Sequence, residues 1–513
     1  MPRVLPGSTA PGRPAVLAAA LAVVLAASAA APAVAAPSPS GPSPGPASGP
    51  SATPLPAVHL PLPGATVPQA AVTVLPALSG VAPLPTAAGV TAALGKLLAR
   101  PALGTSVSVD VTDVTTGAEL LSRTPTRAVV PASATKLLTG AAALTALGPQ
   151  ASLPTRTVQG ATPGEIVLVG GGDVMLAPGA GDPDAVMGHA GLADLADRTV
   201  AALRGRATGP AGGQPSASVS GQPSASASGQ GAGPVTLRLD DTLFTGPAVN
   251  PAWPGDVGGG FVAPVMPLEV TVGVTRPGTP PRPGLPAARV ADPALSAARA
   301  FATLLSARGL TVTGAVTRAA APPGATVLGE VRSASVADIV EHDLTDSDNT
   351  TAEVLARLVA VAAGRPATFA GAGEAVLARI AQLGVPVAGA HLAGGSGLGT
   401  ATVAPVGAVV RALALAADPG HPELRALLTG LPVAGASGTL ADRFAKAAVA
   451  RGAGVVRAKT GTLTGVGALA GTVVDADGRL LAFAVVADKV PATEPGRAAL
   501  DAVAATLAGC GCH

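Results

Sequence analysis

Tyrosine is absent from this chain of 513 residues, tryptophan occurs once and phenylalanine six times, so a core built on aromatic rings is excluded. With 48% hydrophobic residues available, the interior must instead be assembled from Ala, Val and Leu. Charge is sparse at 12%, and the formal +2 includes Arg3 and Arg13 in a segment expected to be removed. A near-neutral mature chain with no basic patch does not argue for nucleic acid. Cysteine is limited to Cys510 and Cys512. Residues two apart rarely reach the Cα separation a disulfide requires, so these read as a frayed tail at 510–513, with metal binding beside His513 a remote alternative. The six histidines form no H-E-x-x-H pair and no G-x-S-x-G elbow frames a serine, so neither a metal nor a cofactor is called for. His342 reads as an exposed or capping helix residue.

Lysine is scarce as well: the chain holds Lys96, Lys136, Lys446, Lys459 and Lys489, and otherwise meets its need for positive charge with Arg. Arg cannot give up its proton and Lys can, so lysine kept at particular places suggests chemistry. Lys136 follows Ser133 in Pro131-Ala132-Ser133-Ala134-Thr135-Lys136, which opens an apolar run, Leu137 to Leu147, that stops at Gly148. The spacing predicts one helix with Ser133 in its first turn and Lys136 one turn later on the same face. A serine hydroxyl is a poor nucleophile until a base takes its proton, and a desolvated lysine can fall in pKa far enough to do so. Ser-x-x-Lys alone arises by chance, and a Ser at a helix start is ordinarily an N-cap. Weight comes from two later stretches. Asp346-Ser347-Asp348-Asn349 lies between a predicted helix capped by Ser335 and another from Thr350, and Lys459-Thr460-Gly461-Thr462-Leu463-Thr464 lies on a predicted strand.

The order S-x-x-K, S-x-N, K-T-G is the set shared by penicillin-binding proteins and serine β-lactamases. With Leu168-Val169-Gly170-Gly171-Gly172-Asp173, Asp240 to Pro247 and Leu431-Pro432-Val433-Ala434-Gly435, the chain resembles the D-alanyl-D-alanine carboxypeptidase/endopeptidase family, the low-molecular-weight class C penicillin-binding proteins of actinobacterial type, over roughly residues 86–509. The resemblance implies an α+β fold: a penicillin-binding/serine β-lactamase-like transpeptidase domain, an antiparallel sheet flanked by helices, with one or two domains inserted between the first and second motifs. It implies acyl transfer through an ester on Ser133, with Lys136 as base, Ser347 relaying the proton to the leaving amine, and Asn349 holding Lys136 and the substrate amide. Lys459, Thr460 and Thr462 would meet the substrate's terminal carboxylate. The backbone N–H groups of Ser133 and Thr462 would form the oxyanion hole, each donor worth about 3 kcal/mol. Gly461 is expected to keep the strand edge bare for substrate. A peptidoglycan stem peptide would be the substrate and β-lactam antibiotics the inhibitors.

Relatives usually carry Asp-Gly-Ser-Gly-Leu-Ser where this chain has Gly394-Gly395-Ser396-Gly397-Leu398-Gly399, so only a tight turn around Ser396 near the cleft is expected. Two other readings compete. A class A β-lactamase would need a deacylating Glu followed by Leu-Asn, a context that Glu165, Glu269, Glu330 and Glu341 all lack. A non-catalytic wall-binding homologue would not need Ser133, Lys136, Ser347, Asn349 and Lys459 intact.

Residues 1–36 read as an export signal, with Arg3 and Arg13, an apolar run from Ala15 to Ala31 and a small-residue cleavage site at Ala33-Val34-Ala35. The protein is therefore expected outside the cytoplasm, secreted or wall-associated, and membrane-bound only if that segment stays uncleaved. Residues 37–85 form a Pro/Ser/Ala-rich tether. A helix over 86–100 and a strand over 106–114 at one end, and strands with a closing helix over 455–507 at the other, can complete one sheet. That gives a catalytic domain of 86–152 and 327–509 around an insertion at 153–326. The insertion holds predicted strands at 165–169, 235–239 and 268–274 and a helix over 293–308 capped by Asp292. Within it Gly213 to Ser220 is repeated with one change by Gly221 to Ser228, in a low-complexity loop over 207–233.

Overall fold

Along the two strands nearest the C-terminus, large and small apolar residues alternate, and a strand sends successive side chains to opposite faces. In the computed structural model this alternation decides what packs on each side. The structure describes residues 82–207, 233–253, 255 and 259–513. The predicted export signal, the tether up to residue 81 and the duplicated segment lie outside the described residues.

In chain order the strands are β1 (Val107–Asp113), β2 (Glu119–Arg123), β3 (Ala128–Val129), β4 (Ser152–Gln159), β5 (Glu165–Val169), β6 (Asp173–Leu176), β7 (Thr236–Asp240), β8 (Leu268–Val270), β9 (Thr317–Arg318), β10 (Val327–Ser335), β11 (Ala404–Pro405), β12 (Arg457–Leu463), β13 (Val466–Val474) and β14 (Leu480–Ala487). The helices are α1 (Ala87–Leu98), α2 (Thr135–Leu147), α3 (Leu192–Ala207), α4 (Pro293–Ala307), α5 (Val336–Asp346), α6 (Asn349–Ala362), α7 (Phe369–Gln382), α8 (Val406–Ala417), α9 (Ala426–Thr429) and α10 (Thr493–Ala508).

The first sheet runs β12-β13-β14-β1-β2 and is antiparallel throughout, so the two ends of the chain do complete one sheet. Leu469, Val473, Leu481, Phe483 and Val485 point to the face covered by α1 and α10. Ala468, Ala470, Ala482 and Ala484 point to the other, where small side chains let α8 approach closely, with α2 packed on α8 beyond it. Helix α2 is buried on every side along most of its length, as a helix apolar all round must be. The α+β expectation holds.

The second sheet has the order β10-β4-β5-β7-β9, with β5, β7 and β9 parallel. Strand β10 pairs with β4 here, a pairing not foreseen when the insertion was expected to end at Thr326. Helices α3 and α4 cover this sheet through Leu195, Ala298, Phe301 and Leu305. Asp292 caps α4 as expected, accepting from the Leu295 N–H at 3.0 Å. The strand expected over 268–274 stops at Val270, because Thr271, Val272 and Gly273 turn left-handed with φ of 47°, 49° and 70°.

The C-terminus corrects the expectation of a frayed tail. Cys510 and Cys512 are joined as a disulfide, their Cα atoms 5.0 Å apart, inside the range a bridge accepts. Cys510 is buried against the α1–α10 side of the sheet, and the Cys512 carbonyl accepts the Thr86 N–H at 2.7 Å. His513 pairs with Asp477 at 3.1 Å.

Candidate active site

Three stretches far apart in the chain meet at a cleft of about 1110 Å³ whose walls include Ser133, Ser347, Asn349, Thr460 and Thr462. Ser133 does not sit in the helix proper. It occupies a 3-10 turn, Ala132–Ala134, immediately ahead of α2, entered through Ala132 at φ 47°. Thr135 Oγ1 donates to the Ala132 carbonyl at 2.8 Å and pins that turn.

Lys136 is completely buried on the first turn of α2. Its Nζ lies 3.3 Å from Ser133 Oγ, 2.6 Å from Asn349 Oδ1 and 3.1 Å from the Ser396 carbonyl oxygen. The last two can only accept. A neutral Lys136 that donates to both has its lone pair left for the Ser133 hydroxyl, the one partner able to donate to it. Burial pulls the Lys136 pKa down, against the carboxylates of Asp343, Asp348 and Glu353.

Ser347 closes α5 in the left-handed conformation, φ 60°, and Asp348 caps α6 by accepting the Thr351 N–H at 2.8 Å. Asn349, the first residue of α6, completes its own bonding by donating Nδ2 to the Phe261 carbonyl at 3.0 Å. On β12, Lys459 is also fully buried, and its Nζ donates to Ser347 Oγ at 2.8 Å and to the Thr460 carbonyl at 2.9 Å. Burial and the neighbouring Lys136 charge push the Lys459 pKa well below its usual value. Thr460 Oγ1 donates to Thr439 Oγ1 at 2.8 Å, and Thr462 faces the same cleft.

Gly461 is required for a reason beside the one expected. A Cβ there would come within 2.8 Å of the Pro131 carbonyl and 3.1 Å of Ala132 Cβ, so the bare position seats β12 against the turn that carries Ser133. The turn around Ser396 survives, but Ser396 is fully buried and serves the site from behind. Its hydroxyl and N–H both donate to Glu353, at 2.5 and 2.9 Å, and the Gly395 N–H joins them at 2.8 Å. The glycine at 394 lies against that carboxylate: a Cβ would be 2.7 Å from its oxygens.

Four residues escaped the sequence reading. Glu353 follows Asn349 by four on α6, a spacing that puts both on one face and could have flagged it. Asp343 precedes Ser347 by one turn of α5. It is wholly buried, neither carboxylate oxygen has a hydrogen-bond partner among the described residues, and burial raises its pKa to about 7 despite Lys136 and Lys459 nearby. Arg289 and Thr439 come from segments with no motif. His342, expected exposed or capping, is mostly buried in the cleft wall with Nδ1 3.7 Å from Asp346.

The model of the D-Ala-D-Ala carboxypeptidase 3 (S13) family matches residues 90–288 and 284–507. A carboxypeptidase of Mycobacterium tuberculosis is 37% identical over 459 residues, covering 89% of this chain and 91% of that protein. A D-alanyl-D-alanine carboxypeptidase of Actinomadura is 32% identical over 464 residues, covering 80% of this chain and 83% of its own. Among solved structures, penicillin binding protein 4 of Haemophilus influenzae superposes with a TM-score of 0.60 at 20% identity, covering 82% of this chain and 98% of that one, a likeness of fold.

Proposed function

The chain belongs to the D-Ala-D-Ala carboxypeptidase 3 (S13) family and is a serine-type D-Ala-D-Ala carboxypeptidase, a peptide hydrolase; on that premise we propose how its residues divide the work. Ser133 attacks the carbonyl between two D-alanines of a peptidoglycan stem peptide, and Lys136 takes the Ser133 proton. The contact of Lys136 Nζ with Ser133 Oγ at 3.3 Å, between two partners that can only accept, carries this reading. Lys459 donates to Ser347 Oγ, which leaves the Ser347 proton free for the departing amine. Collapse of the tetrahedral adduct breaks the C–N bond, releases the terminal D-alanine with that proton, and leaves an ester on Ser133, while the proton Lys136 took from Ser133 replaces the one Ser347 gave up. Water then attacks the ester, restoring the Ser133 hydroxyl and freeing the shortened peptide. Thr460 and Thr462 meet the terminal carboxylate, and the Ser133 and Thr462 backbone N–H groups hold the oxyanion. A β-lactam presents a comparable carbonyl to Ser133 and is the expected inhibitor; a penicillin-binding protein 4 structure from Haemophilus influenzae holds such a compound.

We further propose that the enzyme acts outside the cytoplasm, on the strength of the export signal at 1–36. Among the described residues no helix is long and apolar enough to cross a membrane. The test is the intact mass of the protein through a time course with benzylpenicillin, beside Ser133→Ala. A gain of one drug molecule that persists for minutes and is absent from the variant supports the reading. Drug consumed without a lasting adduct would point to a β-lactamase; if neither occurs, the catalytic reading fails and a wall-binding role takes its place.

A further inference from the structure

Asp348, between Ser347 and Asn349, has a partner that no motif announces. Its Oδ2 lies 3.7 Å from Nη2 of Arg289, and both side chains are buried, 8% and 3% exposed. Arg289 comes from the segment that follows the left-handed turn at 271–273 and reaches the cleft wall. The rest of its guanidinium is committed there: Nη1 donates to the Val272 carbonyl at 2.5 Å and Nε to the Gly260 carbonyl at 3.2 Å. Val272 is β-branched, fully buried and left-handed at φ 49°, a conformation L-residues adopt only when the surroundings hold them in it. Gly273 next to it accepts the Val290 N–H at 2.8 Å, closing the turn onto the strand-like segment that carries Arg289. A strained turn held this firmly aims one cation at one carboxylate.

The charges in this interior are few. Facing Lys136 are Asp343 from α5, Asp348 from the α5–α6 junction and Glu353 from α6, with Lys459 on β12 close behind. Asp348 is bounded by Asp343 and Asp346 of α5, by Glu269 and by Arg289. Burial pushes the Glu269 carboxyl well above the usual carboxylate range, which lessens the negative charge it brings to this interior. Arg289 is thus the cation that offsets Asp348, and without it the full charge of Asp348 bears on Lys136 and favours the ammonium.

We propose that Arg289 is a positioning residue for the reaction: it clamps the Ser347-Asp348-Asn349 junction to the left-handed turn at Val272 and supplies the counter-charge that lets Lys136 shed its proton. This rests on Lys136 being the base. The experiment measures the second-order rate of acylation by benzylpenicillin against pH for the full chain and for Arg289→Gln, Arg289→Lys, Asp348→Asn and Lys136→Arg, with thermal unfolding of each. Arg289→Gln should slow acylation about tenfold near neutrality and move the acid limb of the profile up by about one pH unit, the two being the same effect read at fixed pH and along the pH axis. Arg289→Lys should return the limb to its original place. Asp348→Asn should move it the opposite way, to lower pH, and settles the matter if Arg289→Gln does not fold. A limb that stays fixed in Arg289→Gln, or in Asp348→Asn, overturns the proposal even if the rate or the melting temperature falls. A wild-type profile with no acid limb, or a limb that persists in Lys136→Arg, would instead remove Lys136 as base.

Discussion

Lys459 Nζ donates to Ser347 Oγ at 2.8 Å, so the last motif in the chain holds the hydroxyl of the second. An amine N–H donated to a hydroxyl oxygen leaves the hydroxyl's own hydrogen to point elsewhere, and the cleft is where Ser347 is open. Replacing Ser347 with Ala should lower kcat on a D-Ala-D-Ala peptide by about 10²–10⁴, the range for loss of a positioned proton donor, with KM little changed. Steady-state kinetics on a stem-peptide analogue decides it. A rise in KM at constant kcat would make Ser347 a binding group instead.

Gly461 offers a geometric test. A methyl group at 461 must displace either the Pro131 carbonyl, 2.8 Å away, or Ala468, 3.0 Å away on the paired strand. The paired strand is fixed by β14 beyond it, so the turn bearing Ser133 is the part that moves. A shift on the order of 1 Å in a reacting group costs about 10²-fold in rate. Gly461→Ala should therefore acylate with benzylpenicillin about 10²-fold more slowly while its circular dichroism stays that of the wild type.

Glu353 ties the Gly395-Ser396 turn with three hydrogen bonds, and the Ser396 carbonyl in turn accepts from Lys136. In Glu353→Gln one oxygen becomes an NH2 facing N–H donors. Hydrogen bonds to a charged acceptor are worth about 1.5–3 kcal/mol each. Since the glutamine still accepts through its remaining oxygen, the loss in unfolding free energy should be about 2–4 kcal/mol, together with slower acylation because the floor under Lys136 loosens. Chemical denaturation and acylation rates of the same preparation check both. Unchanged acylation in a destabilised variant would confine Glu353 to folding.

The three motifs that meet at the cleft were legible because they are short and chemically loaded: scarce lysines beside serines, and a glycine on a strand edge. The first sheet was legible because its strands alternate in the simplest way, as Leu469 and Ala470 do. Other features depend on contacts between segments far apart in sequence. Arg289 looks like any surface arginine until the left-handed turn at Val272 is seen, and β10, not foreseen as a strand, is assigned to the second sheet only by its pairing with β4. Ser396 was expected near the cleft and lies beneath it, because Glu353 draws its hydroxyl inward. The cysteines were misjudged from average spacing: the disulfide turns the tail back and brings Cys512 onto Thr86, the cap of α1, a contact that no local pattern encodes.

The pair that locks the first sheet predicts how the enzyme meets acid. Asp113, at the end of β1, accepts from Arg479 Nε at 2.9 Å and Nη2 at 2.7 Å, and both side chains are almost wholly buried. Burial acts to raise the Asp113 pKa, but the Arg479 guanidinium and the Thr116 hydroxyl and N–H outweigh it and hold the carboxyl below the usual range. A carboxyl whose folded-state pKa is depressed stabilises the fold above its unfolded value, and that stability is lost as pH falls through the folded value. Wild-type protein should therefore keep this contribution down to about pH 4 and lose it below, in the range where an ordinary Asp is already protonated. Asp113→Asn leaves Arg479 buried without its ion-pair partner, and should cost about 3–5 kcal/mol at neutral pH. The difference in stability between the two proteins should then shrink as pH is lowered from 5 to 2 in urea titrations. A difference that stays constant across that range would mean that the pair is held by shape and hydrogen bonding rather than by charge.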